Sequence, residues 1–235
     1  MNLLPPQPQC THCELHEQVT VGGLRIMPRT VGMPGLLLPE SVPPAQWTTP
    51  LIYVGPGPSW TDDQAGSPFG GKPGLVFRRV YVEGIRAHEL ATIYTLNAVR
   101  CHIKDGEPPK ARHLKACSDW LRQDLQRILM AHSEATPIIV CFGGGPIKAV
   151  THYCFGEALT QSKLFARNFQ PTTFEGRGVV LGGMFSPAYL LANPNKRDVV
   201  HDQNQLLLDV LRHDTISPAD LQPQFQPAGP PPHAR

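Results

Sequence analysis

Short apolar runs alternate with longer amphipathic stretches through most of the chain. Four of the runs are rich in β-branched and aromatic residues and predict buried strands. These runs span residues 51–54, 92–99, 137–142 and 179–182. In residues 113–132 and about 195–213, apolar positions recur at helical spacing, which predicts two amphipathic helices. The alternation indicates an α/β fold, a three-layer αβα sandwich with a central four-stranded, mostly parallel sheet.

A loop rich in glycine and proline follows the first predicted strand. It has six glycines and four prolines between Gly55 and Gly74, whereas the structural alternative, a plain strand-to-helix turn, needs only about 2 to 6 residues. Such a loop lies where parallel sheets bind ligands. It carries no dinucleotide or P-loop fingerprint, because its opening G-P-G lacks a third glycine at the required spacing and Lys72 is followed by Pro73.

Length and composition predict one domain and a tail. The chain has 235 residues and 41% hydrophobic content, enough for one α/β core, which we place at residues 1–215. Residues 216–235 turn to Pro, Gln, Ala and Gly, which predicts a disordered tail. Inert disorder is the commoner role of such a tail, and recruitment of a partner protein is the alternative.

Net charge and cysteine content further restrict the class of protein that the sequence can encode. A net charge of +2 permits nucleic-acid binding without predicting it. The N-terminus lacks a signal-peptide pattern and no run approaches the ~18 apolar residues of a membrane span, so we expect a cytoplasmic monomer that does not contact membranes. Six cysteines in an intracellular chain favour a metal or cluster over disulfides. Cys141 and Cys154 lie in apolar and helical runs and are predicted to be core thiols.

The loop after the first strand has a definite order of residues. It reads VGPGPS at 54–59, then Asp62-Asp63, then GSPFGG at 66–71 and Gly74. This order resembles the first motif of the iron-sulfur uracil-DNA glycosylases, often called family 4, which reads VGEGPG or VGEAPG, an acidic pair and GxPFVGxxG. The resemblance implies the uracil-DNA glycosylase fold, DNA as the partner and a flipped uracil-type base as the ligand. The family's glutamate, however, is replaced by Pro56.

Four of the six cysteines follow a second pattern of the same family. Cys10 and Cys13 form a CxxC pair, Cys101 follows a predicted strand and Cys117 lies in a predicted helix. C-x2-C, a long gap and C-x15-C resembles the family's cluster pattern and implies a [4Fe-4S] centre, with zinc on the same thiolates as the alternative. The cluster is expected to hold the N-terminal segment against the strand end and the helix.

Three positions match the family's base pocket. Phe69 corresponds to the aromatic residue on which the flipped base stacks, the alternative being a core phenylalanine. Asn97 stands in YTLNAVRC, which resembles the family's YITNVVKC and its base-reading asparagine. An amide offers the donor and acceptor that the O4 and N3–H edge of uracil requires. With Gly57 of the loop, these residues are the predicted base-binding set.

Two further segments are predicted to meet DNA. SPAYLLANP, which begins at Ser186, resembles the family's HPSYLLRNP, the loop that enters the minor-groove side of DNA and supplies a histidine. The glycine turn at 143–145 opens a predicted helix whose amides can receive a DNA phosphate, unless it is a simple helix start. The predicted DNA contacts are Gly144, Pro187, Tyr189 and Leu190.

The family's two catalytic positions are both substituted. Cleavage of the glycosidic bond places positive charge on the sugar and negative charge on the base, so a carboxylate and a histidine are the expected aids. Pro56 and Ser186 hold these positions, and Asp62 or Asp63 can replace the acid, although ordering the loop or capping a helix is their commoner role. The sequence therefore predicts base excision from DNA, with a non-hydrolytic base-binding module or an enzyme for a modified pyrimidine as alternatives. In the alternative role of the tail, the partner that it recruits would be a repair or replication protein.

Overall fold

The computed structural model describes most of the chain between residues 10 and 212. The described residues are 10–16, 19–21, 24–26, 35–37, 49–65, 68–84, 87, 90–102, 107–157 and 159–212. The predicted domain boundary at residue 215 and the predicted tail at 216–235 lie outside these ranges and stay predictions.

A central sheet of six strands forms the middle layer, in the order β3-β5-β4-β6-β8-β7. Strands β4, β5, β6 and β8 run parallel, whereas β3 and β7 pair antiparallel at the two edges. Two short strands, β1 and β2, form a separate antiparallel pair. The strands are β1 (Val19–Val21), β2 (Leu24–Ile26), β3 (Gly35–Leu37), β4 (Thr49–Gly55), β5 (Ala91–Asn97), β6 (Ile138–Phe142), β7 (Gln170–Phe174) and β8 (Arg177–Met184).

The mostly parallel α/β sheet is confirmed, but the predicted number of four strands is wrong. The four predicted runs are the parallel strands β4, β5, β6 and β8. The edge strand β7 reads QPTTF and alternates between exposed and half-buried positions. Such a strand lacks the apolar run of a buried one, and β3 has only three residues.

Helices cover both faces of the sheet. The predicted helix at 113–132 is α3, and the one at about 195–213 is α7 preceded by a 3₁₀ turn at Pro194–Lys196. Helices α2 and α4 continue as π-helical turns, Phe77–Glu83 and Ala149–Cys154. The α-helices are α1 (Trp60–Ala65), α2 (Gly71–Val76), α3 (Ala111–Ala131), α4 (Gly144–Lys148), α5 (Gln161–Arg167), α6 (Pro187–Ala192) and α7 (Arg197–Arg212). In the described ranges, no helix is long and apolar enough to cross a membrane.

Alternate residues of β4 fill two separate cores. Ile52 and Val54 pack with the apolar face of α3 in one core, whereas Leu51 and Tyr53 pack with apolar residues of α7 in the other. Successive strand side chains point to opposite faces, so one strand serves both layers. The three-layer sandwich is therefore confirmed.

The predicted core thiols are buried as expected. Cys141 is fully buried and Cys154 is 3% exposed. Burial raises the pKa of Cys154 to about 12 and that of Cys141 further still, so both thiols stay protonated at neutral pH.

The carboxyl ends of β4 and β5 lie side by side. Their parallel register runs from Thr49 opposite Ala91 to Gly55 opposite Asn97. The pairing continues past both strands, because Ala98 N donates to Gly55 O at 2.8 Å and Val99 N donates to Pro56 O at 3.2 Å. This register brings the loop after β4 next to the end of β5.

Candidate active site

A pocket of about 700 Å³ opens at the carboxyl ends of the parallel strands. This is where open α/β sheets bind ligands, and the volume is in the usual range for a ligand site. Its walls come from the loop after β4, the ends of β5 and β6, the segment before α3 and the start of α6. The predicted site residues that line it are Pro56, Gly57, Asp62, Phe69, Asn97, Ser186, Pro187 and Tyr189.

Asn97 lies on the pocket wall with its side chain almost enclosed. It is 7% exposed, and its amide nitrogen Nδ2 has no hydrogen-bond partner in the described part of the chain. A Cβ atom at Gly55 would lie only 2.6 Å from Asn97 Oδ1 and 3.0 Å from Phe69 Cζ. Glycine at position 55 is thus what leaves room for these two side chains side by side. A buried donor without a partner costs about 1 to 3 kcal/mol until a ligand accepts from it.

Phe69 is held on the pocket wall by an unusual backbone. Its φ of 57° is in the left-handed region, which non-glycine residues rarely adopt. Its ring stacks on Phe77 with centroids 4.5 Å apart and meets Phe142 edge-on at 5.8 Å. Gly74 permits the fold of the loop, because a Cβ there would lie 1.6 Å from the carbonyl oxygen of Phe69. The backbone of the loop therefore fixes the position of the Phe69 ring.

Asp62 ties the two halves of this loop together. Its Oδ2 accepts hydrogen bonds from Ser59 N at 2.7 Å and Ser59 Oγ at 2.9 Å, and its Oδ1 accepts one from Gly70 N. The side chain is buried, and both carboxylate oxygens are occupied by the loop itself. This geometry favours the loop-ordering role over a catalytic one. The side chain of Asp63 lies outside the described part of the structure.

The two substituted positions face the same pocket. Pro56 is exposed there, and its carbonyl is fixed by the hydrogen bond from Val99 N. Ser186 is the N-cap of α6, since its Oγ accepts from Tyr189 N at 3.1 Å. The hydroxyl hydrogen of Ser186 remains available for donation. The pocket thus keeps a neutral donor where the family has a histidine.

The predicted DNA contacts separate into surface and core. Tyr189 is 39% exposed and stacks on Phe185 at 4.8 Å. Leu190, by contrast, is buried and packs into the core with α7. Its position supports a packing role, and its contact with DNA stays a prediction. Gly144 opens α4 but does not line the pocket.

The segment that carries the first cysteine pair is docked on α3. Glu14 accepts a hydrogen bond from His113 Nε2 at 2.8 Å and pairs with Arg112. The hydrogen bond from His113 lowers the pKa of Glu14 to about 2. His12 stacks on the ring of Trp120, with centroids 6.0 Å apart. These side-chain contacts hold residues 10–16 against α3, and the predicted part of a cluster in the attachment stays a prediction.

Three of the four cysteines, Cys10, Cys13 and Cys117, lie near one another at this place. Burial raises the pKa of Cys117 to about 11, and the nearby Cys13 and Cys10 contribute to the increase. A backbone hydrogen bond from Arg100 partly lowers this pKa. Cys101 follows Arg100 directly in the chain. As placed, the described side chains form no group of three or more His, Cys, Asp or Glu residues that would hold a metal ion. Cysteine thiolates are ligands of both [4Fe-4S] clusters and zinc, so the residue types alone are compatible with either.

Several pocket residues were not predicted from the sequence. Phe142 ends β6, and the convergence of parallel strand ends is a signal that could have identified it. Glu107, Pro108 and Pro109 form another part of the wall. They precede α3 in a stretch without periodicity, where no sequence signal marks a site.

The fold and the pocket define an αβα protein with a ligand site at the carboxyl ends of its parallel strands. A family model described as the uracil DNA glycosylase superfamily matches residues 45–210. This match covers most of the chain, and the chain belongs to that superfamily.

Three curated relatives carry the name Type-4 uracil-DNA glycosylase. The protein of Sulfurisphaera tokodaii is 25% identical over 177 residues, 74% of this chain and 72% of the relative. That of Thermotoga maritima is 27% identical over 62% of this chain and 68% of the relative. The Archaeoglobus fulgidus protein is 23% identical over 63% of this chain and 70% of the relative. These similarities confirm the resemblance to family 4.

Proposed function

We propose that the protein binds DNA and removes uracil, or a modified uracil, by hydrolysing the N-glycosidic bond of a flipped nucleotide. The observation that carries this proposal is the pairing of Phe69 with the unpartnered Nδ2 of Asn97 in one pocket. The ring offers a stacking surface, and the amide offers a donor to a base carbonyl. The name of the three relatives, Type-4 uracil-DNA glycosylase, agrees with this activity.

The flipped base would meet complementary groups on several sides. Stacking on Phe69 contributes about 1 to 3 kcal/mol and does not depend on the base, whereas the Asn97 amide selects the base edge. The hydroxyl of Ser186, which already accepts from Tyr189 N, can donate to the oxygen that gains negative charge. Binding and charge stabilisation would thus rest on neutral donors.

We further propose that Cys10, Cys13, Cys101 and Cys117 hold a [4Fe-4S] cluster, with zinc as the alternative. Its role would be structural, since residues 10–16 already contact α3 through Glu14. Iron would bind the thiolates and so offset the raised pKa of Cys117. Iron and sulfide analysis and the absorbance of purified protein test this, with Cys117→Ser losing the chromophore and Cys141→Ser, a buried thiol elsewhere, retaining it. Folded, colourless protein with stoichiometric zinc would instead select the zinc site.

Excision is tested with oligonucleotides that contain uracil, 5-hydroxymethyluracil or normal bases, followed by alkaline cleavage at abasic sites. We expect product from the uracil-type bases alone. Asn97→Ala should reduce discrimination between bases, whereas Phe69→Ala should weaken binding of every flipped base. Equal losses on abasic and base-containing DNA would contradict the pocket assignment.

A base-binding module without hydrolysis is the second candidate. The observation that favours it is the pair of substitutions Pro56 and Ser186, because removal of one charge-stabilising group typically costs about 10²–10³ in rate. Pro56→Glu with Ser186→His tests it. Glutamate fits at position 56, because Pro56 is exposed and its nitrogen makes no hydrogen bond. The change at Ser186 removes the N-cap of α6, which costs about 1 kcal/mol of stability. Faster excision by the double variant would support the enzyme scaffold, and intact DNA binding without any gain would support the module.

A further inference from the structure

The charges around the pocket are few and of one sign. Among its described lining residues there is no lysine, arginine or histidine, and the only carboxylates are Asp62 and Glu107. Cleavage of a glycosidic bond develops positive charge at the sugar, which a nearby carboxylate stabilises. A pocket that lacks the family's acid at Pro56 therefore has two acidic side chains that could take its place.

Asp62 is excluded from this role by its own contacts. Its two oxygens accept three hydrogen bonds, from Ser59 N, Ser59 Oγ and Gly70 N. Both oxygens are therefore committed to holding the loop that places Phe69, and binding a water in the pocket would require these bonds to break.

The carboxylate of Glu107, unlike that of Asp62, is exposed and has no hydrogen-bond donor in the described part of the chain. Its side chain lies on the pocket wall and makes no ion pair within the described ranges. It precedes Pro108, and a residue before proline is restricted to extended backbone. Pro109 packs on the start of α4, where a Cβ at Gly145 would lie 3.3 Å from Pro109 Cγ. The carboxylate is therefore unoccupied while its backbone is anchored.

We propose that Glu107 is the catalytic carboxylate of this pocket, which orients the attacking water and accepts its proton. The inference rests on the proposed excision activity. The water oxygen forms a bond to C1′ of the deoxyribose, the C1′–N1 bond breaks and its electron pair leaves with the base as an anion. The proton of the water moves to Glu107, and the base anion is stabilised by donors such as the Ser186 hydroxyl. The acid has thus moved from the loop after β4 to the segment before α3.

The test compares single-turnover excision of uracil and affinity for uracil-containing DNA in full-length wild type and variants. Glu107→Gln removes the proton acceptor at nearly constant size, and we expect the rate to fall about 10²- to 10⁴-fold with little change in Kd. Glu107→Asp should retain part of the rate. Formate added to Glu107→Ala should restore part of its lost rate, which a merely structural role would not explain. Glu83→Gln is the matched control, because Glu83 is exposed and does not line the pocket.

The outcomes separate the two proposals. An active wild type with an equally fast Glu107→Gln overturns the role of Glu107 and leaves the excision activity standing. Slower excision with a parallel rise in Kd and no rescue by formate makes Glu107 a binding residue, which also overturns the inference. If the wild type releases no base from any of the oligonucleotides, both the excision activity and the role of Glu107 fail.

Discussion

The substitution Gly74→Ala probes how the loop places Phe69. In an ordinary helix, alanine is about 1 kcal/mol more favourable than glycine, so the simplest expectation for a residue of α2 is stabilisation. Here the new Cβ would lie 1.6 Å from the carbonyl oxygen of Phe69, although real Cβ contacts essentially never fall below 3.0 Å. The obstacle is backbone, which cannot rotate away as a side chain would. The loop must therefore move.

The cost follows from the contacts that the movement breaks. Displacing Phe69 gives up its stacking on Phe77, worth about 0.5 to 1.5 kcal/mol. Displacing Gly70 gives up its hydrogen bond to the Asp62 carboxylate, worth about 1.5 to 3 kcal/mol. After the gain of about 1 kcal/mol from helix propensity, the net destabilisation is about 1 to 3.5 kcal/mol, which agrees with the usual cost of overpacking.

Urea denaturation measures the difference in free energy of unfolding between Gly74→Ala and wild type. Excision or binding of uracil-containing DNA measures the effect of displacing the Phe69 ring. Gly144→Ala is the matched control, because it adds the same methyl group to a helical glycine whose nearest neighbour would be the flexible end of Gln161, at 3.2 Å. We expect the control to be neutral or stabilising. A Gly74→Ala protein as stable as this control, with unchanged base binding, would refute the reasoning.

Three further substitutions test individual contacts. Asp62→Asn replaces an acceptor of bonds from Ser59 and Gly70, and it should lower the free energy of unfolding by about 1.5 to 3 kcal/mol in urea titrations. Arg177→Met removes donors from three carbonyls in the last turn of α3 and the turn that follows it, and it should cost a similar amount, seen as a lower thermal midpoint. Burial and the charge of Arg177 lower the pKa of His132, so the folded state binds its proton less readily than the unfolded state. Wild type should therefore lose stability relative to His132→Gln as the pH falls below about 6.5, and a constant difference between pH 5 and 8 would contradict this.

The central strands could be predicted because they are buried on both faces. Runs such as that of β4 must be apolar throughout, and this leaves a signal in a single sequence. The edge strand β7 is half-exposed and contains Pro171, so neither composition nor alternation marks it. Edge strands depend on pairing with a neighbour, which is information that local sequence does not contain.

Site residues divide in a similar way. Asn97 and Phe69 could be predicted to meet in one pocket because their motifs constrain the backbone as well as the side chain. The role of Asp62 could be decided only from its partners on both sides of the loop. The motif predicts the same DNA-contacting role for Tyr189 and Leu190, but in α6 Leu190 is buried in the core while Tyr189 is exposed. These neighbouring residues of one helix lie on different sides of it, and a motif match does not show which side is buried.

The cost of the pocket indicates that it is kept for a ligand, whichever residue carries out the chemistry. The left-handed backbone of Phe69 costs about 1 to 3 kcal/mol, and the unpartnered Nδ2 of Asn97 costs a further 1 to 3 or so. Together they are a substantial part of a typical stability of about 5 to 15 kcal/mol. The packing of the Phe69 ring on Phe77 offsets part of the first cost, but nothing in the described structure offsets the second, which an apolar residue at 97 would remove. A bound base would offset both costs, through stacking on Phe69 and acceptance of the Asn97 hydrogen bond. Binding should consequently survive changes at Glu107, Pro56 and Ser186 that alter the rate of cleavage.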